Sequence, residues 1–127
     1  MALLHYRELV LWQKAMDFVV AVYQLSVRFP RSEQYGLTNQ LRRAAVSVPS
    51  NIAEGQGRGA GAAFVQFLRV ANGSIQEAET QILLAVRLGF VTEDQVTQCL
   101  ELSSEVRRIL AGLKISSGIR SSLFTNN

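Results

Sequence analysis

Apolar residues recur every three to four positions along four stretches of the chain, and no stretch alternates as a strand would. The pattern predicts helices over residues 8–28, 38–54, 62–88 and 92–113. Because the connections between these long helices are short, consecutive helices are expected to be antiparallel neighbours. The sequence therefore predicts an all-α fold, an antiparallel up-down-up-down four-helix bundle over residues 1–114, with a mobile tail over residues 115–127.

Four positions mark the predicted helix ends. Pro30 closes the first helix, because proline disfavours a helical conformation in the residue before it. Thr38 is expected to cap the second helix. Thr92 and Gln95 have the spacing of a capping box, in which each side chain accepts the backbone N–H of the other residue.

The first helix differs from the others because it carries two apolar stripes. One stripe can enter the bundle core, and the other would then be exposed, which is unfavourable for so much contiguous apolar area. We therefore predict that this helix mediates self-association, the alternative being a helix buried deeply in its own bundle. The stripe assigned to the oligomer interface consists of Leu11, Ala15, Phe18, Val22 and Leu25.

The second helix carries a polar stripe beside its apolar stripe. Polar groups at the border of a core usually satisfy one another, because an unpaired buried group costs about 1–3 kcal/mol. Glu77 and Glu79 on the third helix are expected to reach Arg43 or Arg58 across the seam between helices. The pattern favours a hydrogen-bond network between helices or subunits, and a ligand or phosphate site is the alternative. The predicted network comprises Gln40, Ser47, Asn51, Glu54, Glu77 and Glu79.

Composition narrows the class of protein. The chain has 127 residues, 48% of them apolar, and a net charge of +3, which suits one folded domain. A single cysteine excludes an internal disulfide. Without a basic-then-apolar leader or an apolar run of membrane-spanning length, the sequence leads us to expect a soluble cytoplasmic protein that does not enter membranes.

The sequence contains few residues that could support catalysis or bind a metal ion. The single histidine, His5, rules out a di-iron site built from two Glu-x-x-His pairs. Cys99 lies on a core stripe, so a buried thiol is expected rather than a nucleophile. The glycine-rich run over residues 55–61 lacks the Gly-Lys-Ser/Thr ending of a phosphate-binding loop. We expect no enzyme activity, no cofactor and no metal.

One long motif resembles a known family. Residues 41–55, LRRAAVSVPSNIAEG, followed by Gly57 and Arg58, resemble the four-helix-bundle proteins related to the 23S rRNA intervening-sequence protein. The resemblance implies an all-α bundle that assembles as a ring-like homopentamer, with no established enzymatic activity. Relatives serve as accessory factors of diversity-generating retroelements, where nucleic-acid binding is the proposed role. The chain departs from the family pattern at residues 59–63, where relatives commonly carry Ser, Lys or Glu.

Two classes of function follow from these observations. The favoured one is a non-catalytic oligomer that binds RNA or DNA, because five copies would carry a net charge of about +15. The alternative is a protein-interaction adaptor that docks a protein such as a reverse transcriptase, with its arginines held in structural pairs. The predicted nucleic-acid contacts are Arg42, Arg43 and Arg58, followed by Arg7, Lys14 and Arg28.

Overall fold

The computed structural model describes residues 9–59 and 61–114, and these residues form four α-helices with no strand. The helices are α1 (Val10–Ser26), α2 (Leu37–Gly57), α3 (Ala62–Arg87) and α4 (Glu93–Lys114), with a 3₁₀ turn at Arg31–Glu33. The predicted tail, Arg7 and His5 lie outside the described residues. Of the helices just given, none combines the length and the apolar character needed to cross a membrane.

Consecutive helices run in opposite directions around the bundle. Helices α1 and α3 each pack against both α2 and α4. Along the α1–α2 seam, Trp12 lies beside Ala53, whereas Tyr23, nearer the end of α1, contacts Arg42, nearer the start of α2. The α2–α3 pair shows the same reversal, since Gly55 lies against Phe67 and Ser47 lies against Ser74. The described helices therefore form the predicted four-helix bundle.

The start of α2 differs from the prediction. The helix begins at Leu37, and Thr38 is buried and makes no capping bond. The N-cap residue is Gly36, which has no side chain to accept a hydrogen bond. The Glu33 carboxylate takes this role, since its Oε1 accepts the Leu37 N–H at 3.0 Å. The acceptor was missed because it lies in the 3₁₀ turn before the helix.

The capping box at the start of α4 is confirmed. Gln95 Oε1 accepts the Thr92 N–H at 3.0 Å, and Thr92 Oγ1 accepts the Gln95 N–H at 3.3 Å. Just before it, α3 ends at Arg87, and Gly89 adopts a left-handed conformation with φ of 78°. A glycine adopts this conformation without the steric cost of a side chain. The turn between α3 and α4 is therefore fixed by local sequence.

The predicted oligomer interface on α1 is wrong. Its five residues are at most 4% exposed and lie in the core of the protomer. Their spacing of four, three, four and three residues suits a seam between bundled helices. Because the other stripe has the same 3.5-residue repeat, the packing of α2 and α4 against α1 decides which stripe is buried. That other stripe includes Leu9, Trp12, Met16, Val19 and Tyr23. The second α1 stripe is the exposed one, with Val20 at 53% and Val27 at 73% exposure.

Helices α2 and α3 approach each other closely at Gly55. A Cβ atom added to this buried glycine would lie 3.0 Å from Phe67 Cβ and 3.4 Å from the Phe64 carbonyl oxygen. Small alanines at Ala45 and Ala71 are likewise fully buried in the core. The spacing between α2 and α3 thus depends on residues with little or no side chain.

Candidate nucleic-acid interface

The segment that runs from the end of α1 through most of α2 has the same net positive charge as the whole chain. Residues 28–53 contain four arginines and one acid, Glu33, which gives a net charge of +3, equal to that of the whole chain. The Glu33 carboxylate is already engaged with the Leu37 N–H. The start of α2 adds the positive end of a helix dipole. The four arginines are Arg28, Arg31, Arg42 and Arg43.

Arg42 is held in a defined orientation. Its Nε donates to Ser26 Oγ at 2.8 Å, and its guanidinium lies over the Tyr23 ring, 4.5 Å from the centroid. Ser26 Oγ in turn donates to the Tyr23 carbonyl oxygen at 3.3 Å. Among the described residues, the terminal nitrogens of Arg42 have no hydrogen-bond partner. They can therefore donate to a ligand without reorganising the side chain.

Arg43 is exposed and lies between two surface grooves. It makes no hydrogen bond or ion pair with any residue that the structure describes. The Tyr23 groove, of about 510 Å³, is lined by Tyr23, Asn39, Arg42, Arg43, Val46 and Ser47. The Glu77 groove, of about 360 Å³, is lined by Asn39, Gln40, Arg43, Ala44, Ser47, Ser74 and Glu77.

A small hydrogen-bond network forms the floor of the Glu77 groove. Asn51 Nδ2 donates to the Ser47 carbonyl oxygen at 2.7 Å and to Ser47 Oγ at 2.9 Å. Ser47 Oγ also shares a hydrogen bond of 2.8 Å with Ser74 Oγ on α3. These bonds join two predicted network residues, Ser47 and Asn51, which both lie on α2, and the Ser47–Ser74 bond crosses the α2–α3 seam. Ser74 was not among the predicted network residues.

The remaining four predicted network residues do not join it. Glu54 accepts from Arg58 at 3.0 and 3.3 Å within α2. Glu79 accepts from Ser103 at 2.6 Å and from Arg107 at 3.0 Å on α4. Glu77 accepts from Gln81 at 3.4 Å, and the side chain of Gln40 makes no hydrogen bond with any described residue.

The predicted pairing of Glu77 or Glu79 with Arg43 or Arg58 across the seam is therefore wrong. Side chains two positions apart on a helix point about 160° apart. Glu79 consequently faces α4, where it pairs with Arg107, and Glu77 faces the α2 side. There it lines the same groove as Arg43 without forming an ion pair with it.

The other predicted nucleic-acid contacts differ in whether their side chains already form ion pairs. The Lys14 ammonium lies 3.1 Å from a Glu105 carboxylate oxygen. Arg58 pairs with Glu54, and its guanidinium lies 5.4 Å from the centre of the Phe67 ring. Exposed ion pairs of this kind stabilise a protein by at most about 1 kcal/mol, so a phosphate can compete for these cations. Arg28 is exposed and has no ion pair among the described residues.

Asn39 and Arg31 were missed by the sequence reading. Asn39 lines both grooves, one helical turn before Arg42 and Arg43. Its spacing of three and four residues from the two arginines was the available signal, because such residues share a helix face. Arg31 lies in the 3₁₀ turn and is exposed.

Cys99 is buried, as expected from its position on a core stripe. Burial raises the pKa of its thiol from 9.0 to about 11, because an apolar environment disfavours the thiolate. The side chain therefore stays protonated at neutral pH and is a poor nucleophile. Within residues 9–59 and 61–114, no group of three or more His, Cys, Asp or Glu side chains is placed to hold a metal ion.

A solved structure has a similar fold. It is the crystal structure of a protein with unknown function from the S23 ribosomal protein family of Bacteroides thetaiotaomicron, with a TM-score of 0.73 and 23% sequence identity. The similarity covers 82% of this chain and 97% of that chain. No curated protein sequence matches this chain. The sequence model of the 23S rRNA-intervening sequence protein family matches residues 7–112, and the chain therefore belongs to this family.

Proposed function

We propose that the protein is a non-catalytic, cytoplasmic oligomer that binds the phosphate backbone of RNA or DNA. The observation that carries this proposal is the pair of adjacent arginines on α2. Arg43 is exposed without an acidic partner, and Arg42 is fixed by Ser26 and Tyr23 with its terminal nitrogens available. The forked guanidinium group matches the geometry of two phosphate oxygens.

Self-association would strengthen this interaction. A protomer with a net charge of +3 attracts nucleic acid weakly, whereas each added copy contributes a further basic segment. The segment 28–53 repeats in every protomer, so an oligomer would present several phosphate-binding sites at fixed distances. Linked sites of this kind bind a continuous strand more tightly than a single site does.

The exposed stripe of α1 is the proposed oligomer interface. Val20 and Val27 lie on its surface, and a mostly apolar groove of about 330 Å³ lies alongside it, between α1 and α2. Contiguous exposed apolar surface is typical of an association site. We propose that it mediates assembly into the ring-like homopentamer that the family resemblance implies. The groove is lined by Trp12, Met16, Val19, Val46, Pro49, Ser50 and Ala53.

The experiment is a salt titration of RNA binding, measured by fluorescence anisotropy with an end-labelled single-stranded RNA. We expect Arg43→Ala to weaken binding and to reduce the slope of log K against log salt by about one for each phosphate that is no longer neutralised. Arg69→Ala is the matched control, because Arg69 is an exposed arginine on α3 that lines neither groove. An unchanged slope in Arg43→Ala would contradict the proposal.

A protein-interaction adaptor is the second candidate, favoured by the apolar α1–α2 groove and by the ion pairs of Lys14 and Arg58. In this case the groove would bind a partner protein, such as the reverse transcriptase that the family resemblance implies. The adaptor predicts no retention of the protein on immobilised RNA at moderate salt. It also predicts that Val46→Glu, in the groove, abolishes partner binding while Arg43→Ala does not.

A further inference from the structure

We propose that the Glu77 groove binds one unstacked guanine base of a single-stranded nucleic acid. This inference rests on the proposed function, because phosphate contacts at Arg42, in the adjoining Tyr23 groove, would bring the strand to the Glu77 groove. The groove volume of about 360 Å³ is in the range of small-molecule sites. Sequence-specific recognition of single strands commonly uses bases that are turned outward and hydrogen-bonded along their edges.

The floor of the groove has a hydroxyl proton without an acceptor. Ser47 and Ser74 have two hydroxyl protons between them, and the hydrogen bond that joins their oxygens uses one of these protons. The Asn51 amide donates to Ser47 and accepts neither proton in the bonds of this network. One O–H among the described groove residues is thus available to a ligand, whichever serine donates.

The walls of the groove present opposite charges that are not paired with each other. Arg43 supplies guanidinium donors, and Glu77 supplies carboxylate acceptors. Gln81 donates to one Glu77 oxygen, Oε2, at 3.4 Å, which leaves Oε1 available. Because no ion pair joins Arg43 and Glu77, a ligand with acceptors on one side and donors on the other can lie between them.

Guanine has this arrangement. Its O6 and N7 atoms accept hydrogen bonds, and arginine donating to both is the commonest specific contact to this base. Its N1–H and N2 amino groups donate, and a carboxylate can accept from both. Adenine presents the reverse pattern on the corresponding edge, since its N6 amino group would face Arg43 and its N1 lone pair would face Glu77. Uracil offers one N–H donor to the carboxylate where guanine offers two.

The test compares end-labelled RNA strands of about 12 nucleotides by fluorescence anisotropy. One strand contains adenosine throughout, the second has a single central guanosine, and the third has inosine, which lacks the N2 amino group, at the same position. We expect wild type to bind the guanosine strand about tenfold more tightly than the adenosine strand. The inosine strand should have an intermediate affinity, because it lacks one donor to Glu77.

Two variants separate the guanine contact from phosphate binding. Glu77→Gln should remove the preference for guanosine, because the amide replaces one carboxylate acceptor by a donor. Glu101→Gln is the matched control, because Glu101 is exposed on α4 and lines neither the Tyr23 groove nor the Glu77 groove, and it should retain the preference. Both positions are exposed, so neither change should disturb folding, which circular dichroism will check.

Each outcome decides between the two proposals. Equal affinities for the guanosine and adenosine strands, with binding that weakens as salt rises, would overturn the guanine site and leave phosphate binding intact. A preference that survives in Glu77→Gln would also overturn it. Failure of wild type to bind any of the three strands would overturn both proposals.

Discussion

Replacing Gly55 by alanine tests how closely α2 and α3 must approach. The new methyl group would lie 3.0 Å from Phe67 Cβ and 3.4 Å from the Phe64 carbonyl oxygen. Neither atom is the end of a flexible side chain, so the two helices must separate by a few tenths of an ångström. Overpacking of this kind costs about 1–3 kcal/mol. Alanine also gains up to about 1 kcal/mol over glycine in helix propensity, which offsets part of this cost.

Gly57→Ala is the matched control, because Gly57 lies in the same helix and a Cβ atom there meets nothing within 4 Å. It should have the propensity gain without the packing cost. We therefore expect the unfolding free energy of Gly55→Ala to be about 1–3 kcal/mol below that of Gly57→Ala. Urea denaturation followed by circular dichroism, at one protomer concentration for both variants, measures this difference. Equal stabilities would refute the close approach at Gly55.

Three further predictions concern single side chains. Gln81→Met removes a buried carbonyl oxygen, Oε1, that accepts no hydrogen bond. The free energy of unfolding, measured by thermal denaturation, should therefore rise by about 1 kcal/mol, and a fall would contradict this prediction. Thr92→Ala removes the acceptor of the Gln95 N–H and should lower the free energy of urea unfolding by about 1 kcal/mol, whereas an unchanged value would argue against the cap. The raised pKa of Cys99 means that the unfolded chain loses this proton first, so stability should fall as the pH rises from 9.0 to about 11. The stability difference between wild type and Cys99→Ala should shrink by up to about 2–3 kcal/mol over that range, and a constant difference would contradict the assignment.

The fold was largely predictable because it depends on local signals. Helical periodicity indicated all four helices of the described residues, and α3 buries Leu68, Ala71 and Ile75 at helical spacing. The capping box at Thr92 was readable for the same reason, since both partners lie within four residues. Both side chains of a capping box come from one short stretch of sequence, so the motif can be recognised without knowing the tertiary contacts.

The sequence did not show which of the two α1 stripes faces the core. Periodicity shows that Phe18 and Val20 lie on different faces, but it does not show which face the neighbouring helices cover. The 3.5-residue repeat of a bundle seam does not decide either, because both stripes follow it along α1. The structure buries Phe18 completely and leaves Val20 half exposed.

The candidate site could be predicted only in part. The motif around Arg42 and Arg43 identified the basic face of α2, but which arginine is fixed depends on contacts from α1. Arg42 is positioned by Ser26, which is sixteen residues away in the sequence. Arg43 remains unpaired among the described residues because the register of α3 places Glu77 in the same groove without contact. Such distant relationships are set by helix packing and have no local signature.

The most direct test of the central claim is the salt dependence of RNA binding by a variant that cannot assemble. Val20→Asp places a charge on the exposed stripe of α1, and sedimentation should show the wild type as an oligomer and this variant as a folded protomer. We predict that the variant binds RNA at least about tenfold more weakly, with a shallower slope of log K against log salt. A wild type that sediments as a protomer, or a dissociated variant with unchanged affinity and slope, would contradict the claim that assembly strengthens nucleic-acid binding.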